Sequence, residues 1–580
     1  MDEKCLPGGP VAIPKREGRR QRQRHRTIIA FVLLCLFIAF KYRQNISVCE
    51  NRPRTLQYDG EHITWELCGD VKGTPVECSK IDVPMDQFDS QNSDDRTFSI
   101  PIIRMRGQNA TQNLLLNPGG PGGSGLSLMH RAGSRIRDLV GEGFHLVSFD
   151  PRGVNNSTPQ ASCYPDASTR QKLKPVRSQN IQVDSPEVFA WAQNFVKACY
   201  ETMGEYAMYI NTPQTAADMN SILDALGQRD MVYWGFSYGT LLGQTYATMF
   251  PERSKRIIID GAVDQFEWYG LGFDLASSLI DTDAVLDGFF DLCIKEGSDS
   301  CSLALLADSK EELRGLVLSY MEELQKQPIG VYIDNGKHGL LTFDNVWYNG
   351  VFPSLYKPQT WSGLADNLYD LLQGNATRSF LAYGDTSGYL GVDDADSVVE
   401  LNDGLTGPDY WPQDRQSLLD YMLPFYNNSL FDASQDKIFY QRQQWSLPKG
   451  HLYVPQNNVT TTHPLLILST TYDPVCPLIA ARSANRAFVG SQIIEVKGYG
   501  HCSIAVASLC VAKHLRGYLY EGKVPETYTQ CEVDSSYFVR PDETGKFAAQ
   551  AIFEDSDDRE IHLAQLELAR EWDFGKPYYF

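Results

Sequence analysis

Trp234-Gly235-Phe236-Ser237-Tyr238-Gly239-Thr240 continues directly from Met231-Val232-Tyr233, an apolar run with the character of a strand. A G-x-S-x-G in that setting is more than a common pentapeptide: it describes a serine held in a sharp strand-to-helix turn, its hydroxyl presented at the end of a sheet. Such a turn needs small neighbours, because a side chain at 235 or 239 would crowd it. Ser237 is therefore the expected nucleophile. Taken alone the pentapeptide also fits a plain turn before a helix, since three fixed positions in five recur by chance.

The rest of the chain decides between these readings. Asp473 closes the run Leu465-Leu466-Ile467-Leu468-Ser469-Thr470-Thr471-Tyr472, and His501 follows Ile493-Ile494-Glu495-Val496-Lys497-Gly498-Tyr499-Gly500. Each sits just past a strand-like segment, where a loop presents it at the edge of a parallel sheet. A serine hydroxyl is a poor nucleophile until an imidazole takes its proton, and a buried carboxylate fixes the tautomer of that imidazole and steadies its charge. The order Ser237, Asp473, His501 is the order of α/β-hydrolases and differs from those of chymotrypsin-like and subtilisin-like enzymes. Asp260 and Asp264, which follow an earlier strand, are the next acid candidates.

Upstream, Leu114-Leu115-Leu116 runs into Asn117-Pro118-Gly119-Gly120-Pro121-Gly122-Gly123-Ser124-Gly125. A bare glycine loop after a strand can bring backbone amides to a developing oxyanion. The expected donors are the N–H of Tyr238, next to the nucleophile, and that of Gly120, because Pro121 has no N–H. No G-K-[ST] follows, which removes a phosphate-binding loop of the Walker type.

Together with Ser148-Phe149-Asp150-Pro151-Arg152-Gly153, these segments resemble the prolyl and tripeptidyl aminopeptidase family of α/β-hydrolases, and the stretch from about Leu465 to Cys531 resembles that family's C-terminal segment. The resemblance spans most of the chain beyond Trp65. It implies an α/β fold, a mostly parallel sheet flanked by helices with a large, mainly helical cap insertion, and acyl-transfer chemistry on peptides with a free N-terminus, although relatives also hydrolyse esters and small amides. Where other members place a histidine before the glycine loop, this chain has Asn117-Pro118.

A chain of 580 residues exceeds one hydrolase core by a wide margin. Core-like strands stop near Arg256–Gly261 and resume at Pro464, giving an expected organisation of a basic leader (1–26), a short signal-anchor segment (27–43), the first part of the core (44–262), a cap (263–460), the rest of the core (461–535) and a tail (536–580). Within the cap, Leu313, Leu316, Tyr320 and Leu324 recur at helical spacing, as do Trp361, Leu364, Leu368 and Leu371. Glu267, Asp274 and Asp281 could receive a substrate ammonium group, but acids are usually exposed and these read first as surface residues.

Residues 1–26 carry a formal charge of +5 and precede the apolar run Ile28–Phe40. The run is short for a membrane span, yet no small-x-small cleavage site follows it, so the expectation is a single-pass anchor with the catalytic part lumenal or extracellular; secretion after signal cleavage is the alternative. Eleven of the 13 cysteines lie beyond Cys35. Cys68 with Cys78, Cys293 with Cys301, and Cys510 with Cys531 are plausible local bridges, and a Cys476–Cys502 bridge would tie the acid loop to the histidine loop. Sequons at Asn45, Asn109, Asn155, Asn156, Asn375, Asn427 and Asn458 suit a secretory surface, with Asn155 and Asn156 close to the core. No C-x-x-C pair or H-E-x-x-H helix appears, so neither a metal nor a cofactor is expected. With 52 basic and 72 acidic residues the net charge is −20, which argues against a nucleic-acid partner.

The expected activity is that of a serine hydrolase acting through an acyl-enzyme, most simply an aminopeptidase-like peptidase. An esterase, amidase or lactonase acting on a small natural product is the alternative within enzymes, and an inactive hydrolase-fold binding module the alternative outside them.

Overall fold

The structure is a computed structural model that describes residues 55–173, 180–271, 278–384, 394–425, 429–449, 451–539, 553 and 555–572. The chain divides into Met1–Leu56 and Gln57–Phe580, and nearly all the described residues belong to the second unit. Its strands are β1 (Trp65–Val71), β2 (Thr74–Pro84), β3 (Thr97–Met105), β4 (Gln112–Asn117), β5 (Phe144–Phe149), β6 (Met231–Phe236), β7 (Ser254–Asp260), β8 (Ile329–Asp334), β9 (Lys337–Leu341), β10 (Leu466–Tyr472), β11 (Gln492–Tyr499) and β12 (Thr529–Glu532). All except β8 and β9 lie in one sheet ordered β1-β2-β3-β5-β4-β6-β7-β10-β11-β12. From β5 to β12 every neighbour is parallel, while β1, β2 and β3 add an antiparallel edge.

The central strands are buried on both faces, which is why they read as continuous apolar runs and not as alternating ones: β6, Met-Val-Tyr-Trp-Gly-Phe, has no exposed position. The principal helices are α1 (Gly125–Val140), α2 (Ile181–Met203), α3 (Thr212–Ala225), α4 (Tyr238–Met249), α5 (Thr282–Glu296), α6 (Lys310–Lys326), α7 (Trp361–Leu372), α8 (Ala395–Asp403) and α9 (Ser556–Glu571). Helix α1 and the C-terminal α9 share one core with the sheet, through Ile136, Leu116, Phe236, Ile258, Leu468 and Leu568 among others. Trp572 lies 4.5 Å from Phe236, centroid to centroid, so the residue that follows α9 is part of the core.

Between β7 and β10 lies a mainly helical insertion with its own core, from Val285 and Phe289 on α5 through Trp361 and Leu364 on α7. The antiparallel β8–β9 hairpin interrupts it. The stripe expected on α6 is corrected by about one residue: Leu313, Val317, Met321 and Leu324 face inward, whereas Leu316 is 41% exposed. Leu316 is three residues from Leu313 and Val317 four, and it is Val317 that belongs to the insertion's core. The stripe of Trp361, Leu364, Leu368 and Leu371 is buried as expected.

Cys68–Cys78, Cys293–Cys301 and Cys510–Cys531 are bridged as expected, and Cys163–Cys199 forms a further bridge. Cys476 and Cys502 are corrected: both are buried free thiols, and Cys502 Sγ turns to the carbonyl of Asp260 at 3.1 Å. The single-pass anchor is also corrected. No helix among the described residues is long and apolar enough to cross a membrane, and the run 27–43, like the leader before it, lies outside those residues. Asn109, Asn156, Asn375 and Asn458 are exposed; Asn45 and Asn427 lie outside the described residues.

Candidate active site

Ser237 stands between the end of β6 and the start of α4, with φ 55° and ψ −126°. A side chain rarely adopts that conformation, and here the surroundings enforce it. Its N–H donates to the Asp260 carbonyl at 3.0 Å, at the end of the adjacent strand β7. Its own carbonyl accepts from Thr240 Oγ1 at 2.6 Å. A Cβ at Gly235 would stand 2.3 Å from the Gly239 carbonyl oxygen, and one at Gly239 would stand 2.8 Å from that of Asn117, so both flanking glycines are required by backbone and not by flexible neighbours. Gly235→Ala is expected to destabilise the fold by about 3 kcal/mol in denaturant unfolding. Gly363→Ala, in α7 with nothing within 4 Å of the added methyl, should be neutral or slightly stabilising.

Asp473 follows β10 and His501 follows β11, neighbouring parallel strands, so two residues 28 positions apart meet at one end of the sheet. His501 Nδ1 lies 2.9 Å from each Asp473 carboxylate oxygen, and both side chains are buried. The carboxylate also accepts the N–H groups of Val475 at 3.0 Å, Cys476 at 2.8 Å and Cys502 at 2.8 Å. The histidine loop is held from the insertion, where the Tyr356 carbonyl accepts the His501 N–H at 2.9 Å and the Tyr356 ring packs edge-on against the imidazole. Asp281, expected as a surface acid, is instead half-buried; burial first, and the nearby Asp473 second, push its carboxyl up to about 6.

The glycine loop lies against the serine turn. A Cβ at Gly119 would come within 2.9 Å of Ser237 Cβ and 3.1 Å of the Tyr238 nitrogen. The Gly119 N–H donates to Asn117 Oδ1 at 2.9 Å and the Gly123 N–H to the Gly119 carbonyl at 3.0 Å, which removes both from service to a ligand; the Gly120 N–H is the one nearest in sequence that is not so used. Asp150 anchors the far side of the loop, accepting from Ser124 Oγ at 2.6 Å, from Leu126 N at 3.2 Å and from Asn155 Nδ2 at 3.0 Å. A glycan on Asn155 would leave one N–H for the two bonds that Nδ2 makes, to Asp150 and to Ser124 Oγ. Arg152 forms a buried bidentate pair with Asp218 on α3, at 2.6 and 2.7 Å.

A polar chain behind Tyr238 carries no sequence signature. Tyr238 OH lies 2.5 Å from Thr212 Oγ1, Thr212 donates through Oγ1 and N to Asp403 at 2.6 and 2.9 Å, and Trp268 Nε1 donates to the same carboxylate at 2.9 Å. Burial pushes Asp403 up to about 6. Its partners lie up to 191 residues away, so no spacing reveals the cluster. At the other end of α8, Asp396 N and the Ala395 methyl abut Gly122, and the insertion thus reaches the glycine loop, Tyr238 and the histidine loop alike.

Of the remaining acids, Asp264 caps the short helix Gln265–Tyr269, Glu267 is half-buried within it, and Asp274 lies outside the described residues. Two clusters among the described residues bring three metal-type donors together, and each is otherwise engaged: Cys510 and Cys531 are bridged beside His514, while Asp473 and His501 hold each other beside Cys476.

Sheet order, serine turn, glycine loop and the loops after β10 and β11 define an α/β-hydrolase fold. Residues 112–291 match the family model described as alpha/beta hydrolase fold, and residues 429–531 the one described as TAP-like protein. The chain is similar to a tripeptidyl aminopeptidase of Streptomyces lividans, with 25% identity over 81% of this chain and 86% of that protein. It is similar to the serine protease Hip1 of Mycobacterium tuberculosis, at 28% over 81% and 91%. A carboxylesterase B of the same organism is 26% identical over 81% and 89%.

Proposed function

We propose that the protein is a serine hydrolase of the aminopeptidase type, with Ser237 as nucleophile, His501 as general base and Asp473 as the acid that orients it. The observation that carries this reading is the buried His501–Asp473 pair at 2.9 Å, just past β11 and β10, the latter paired with β7, whose last carbonyl holds the Ser237 N–H. With Nδ1 on the carboxylate, Nε2 takes the Ser237 proton as Oγ attacks the scissile carbonyl. The N–H groups of Tyr238 and Gly120 stabilise the oxyanion. His501 then protonates the leaving amine, and a water activated by the same imidazole releases the acyl group. The names carried by the tripeptidyl aminopeptidase and serine protease relatives favour peptides with free N-termini, and Asp281 and Asp403 supply anionic character beside the catalytic loops.

The carboxylesterase-named relative of equal coverage supports a second reading, hydrolysis of small esters. The two separate on a panel of aminoacyl- and tripeptidyl-amides, free or blocked at the N-terminus, assayed beside short acyl esters. The expected result is cleavage of the free-amine amides that disappears on blocking. Ester turnover alone would replace the peptidase with an esterase, and no turnover on either would return the chain to the binding-module class.

A further inference from the structure

The catalytic geometry uses one carboxylate, yet a second lies directly behind it. Asp260 ends β7, is fully buried and accepts from Ser503 twice, from N at 2.6 Å and from Oγ at 2.7 Å. Ser503 is two residues past His501. The intervening Cys502 has φ 66°, outside the ordinary range for its residue type, and is held there from both sides, its N–H on Asp473 and its thiol on the Asp260 carbonyl. That same carbonyl accepts the N–H of Ser237. One residue therefore grips the nucleophile's turn through its main chain and the base's turn through its side chain. We infer that Asp260 is a positioning residue that sets His501 against Ser237 and places a second anion near the imidazole. The inference rests on the Ser237–His501–Asp473 reading given above.

The charge is costly to keep there. Burial above all pushes the Asp260 carboxyl up to about 6, with the Ser503 donors and His501 opposing the shift. A carboxyl raised in the folded state favours folding while it is protonated, and that contribution is lost as pH rises from the ordinary carboxylate range through about 6. At neutral pH the ionised acid thus lowers stability, and an asparagine would fill the space more cheaply if spacing were its only task. The titratable groups facing it are His501, Cys476 and Cys502; burial drives both thiols far above their ordinary range, so they stay neutral.

The test measures the rate of labelling of the full chain by a fluorophosphonate, with the modified residue located by mass spectrometry, for wild type, Asp260→Asn, Ser503→Ala and the double variant across pH 4–9. Wild type is expected to label at Ser237, with an acid limb that needs two protons. Asp260→Asn should label about 10- to 100-fold more slowly, on a limb that needs one, and should melt no lower than wild type at pH 8. Ser503→Ala should slow labelling, and the double variant should fall no further than the larger single effect, because both break one linkage. Labelling of folded Asp260→Asn at the wild-type rate with an unchanged limb would overturn the inference, as would a large fall in melting midpoint with labelling unchanged. Wild type that does not label at Ser237 would instead overturn the nucleophile assignment, and this inference with it.

Discussion

Ser237→Ala is expected to lower kcat by on the order of 10⁶-fold on whichever substrate the panel identifies, with KM little changed. The loss is near complete because the imidazole, its carboxylate and the oxyanion donors act only on the bond that Oγ forms; the residual rate over water comes from the oxyanion site and from binding. A companion substitution separates chemistry from folding. Ser237 holds φ 55°, a conformation that glycine adopts without strain, so Ser237→Gly should be equally inactive yet unfold at a higher temperature than wild type, by about 1 kcal/mol of stability. Calorimetry beside a turnover assay checks both. Substantial turnover in either variant would remove Ser237 from the mechanism.

Asp473→Asn should lower kcat by about 10⁴-fold while leaving the fold intact. An asparagine in this place has one acceptor oxygen where the carboxylate has two. The three N–H groups of Val475, Cys476 and Cys502 already compete for those oxygens, so the amide nitrogen turns toward His501 and forces its proton to the wrong ring atom. The effect falls in kcat, since ground-state contacts to substrate are unaltered. Asp473→Ala should be worse in a second way, leaving three buried N–H groups without an acceptor and costing stability as well as rate. Activity within tenfold of wild type for Asp473→Asn would pass the orienting role to Asp260, the buried acid at the end of β7.

The serine turn was legible because its constraint is local: two glycines are needed where backbone oxygens stand 2.3 and 2.8 Å from the missing Cβ atoms, and that need is written within five residues. The positions of Asp473 and His501 were legible for a related reason, as each follows a strand that opens on a short buried apolar run, Leu466-Ile467-Leu468 and Ile493-Ile494. The disulfides closed over 8, 10 and 21 residues could be paired by proximity in sequence, whereas Cys163–Cys199, 36 residues apart, could not. Cys476 and Cys502 sit beside the right loops, but proximity of Cα atoms does not fix where the sulfur points, and Cys502 Sγ points to Asp260. On α6, Leu316 and Val317 are both apolar, and only the packing of the insertion selects the second. Asp260 stood in the sequence only as an alternative acid after its strand, and its hold on Ser503 was hidden, as was Asp403 altogether, because a buried acid is defined by its donors, which here come from elsewhere in the chain: Ser503 for one, Thr212 and Trp268 for the other.

The junction of β7 with β10 pairs Ile258 with Leu466 in parallel register, across the whole of the inserted segment. For a chain closing on itself, the entropy penalty grows only with the logarithm of the loop, about 0.6 kcal/mol for each doubling. Lengthening or shortening the insertion therefore changes the stability of the sheet far less than it changes the walls of the site, which α8 and Tyr356 supply. A lineage could exchange that segment wholesale, and with it the molecules admitted, while the strand ends that carry the serine, the acid and the histidine keep their register.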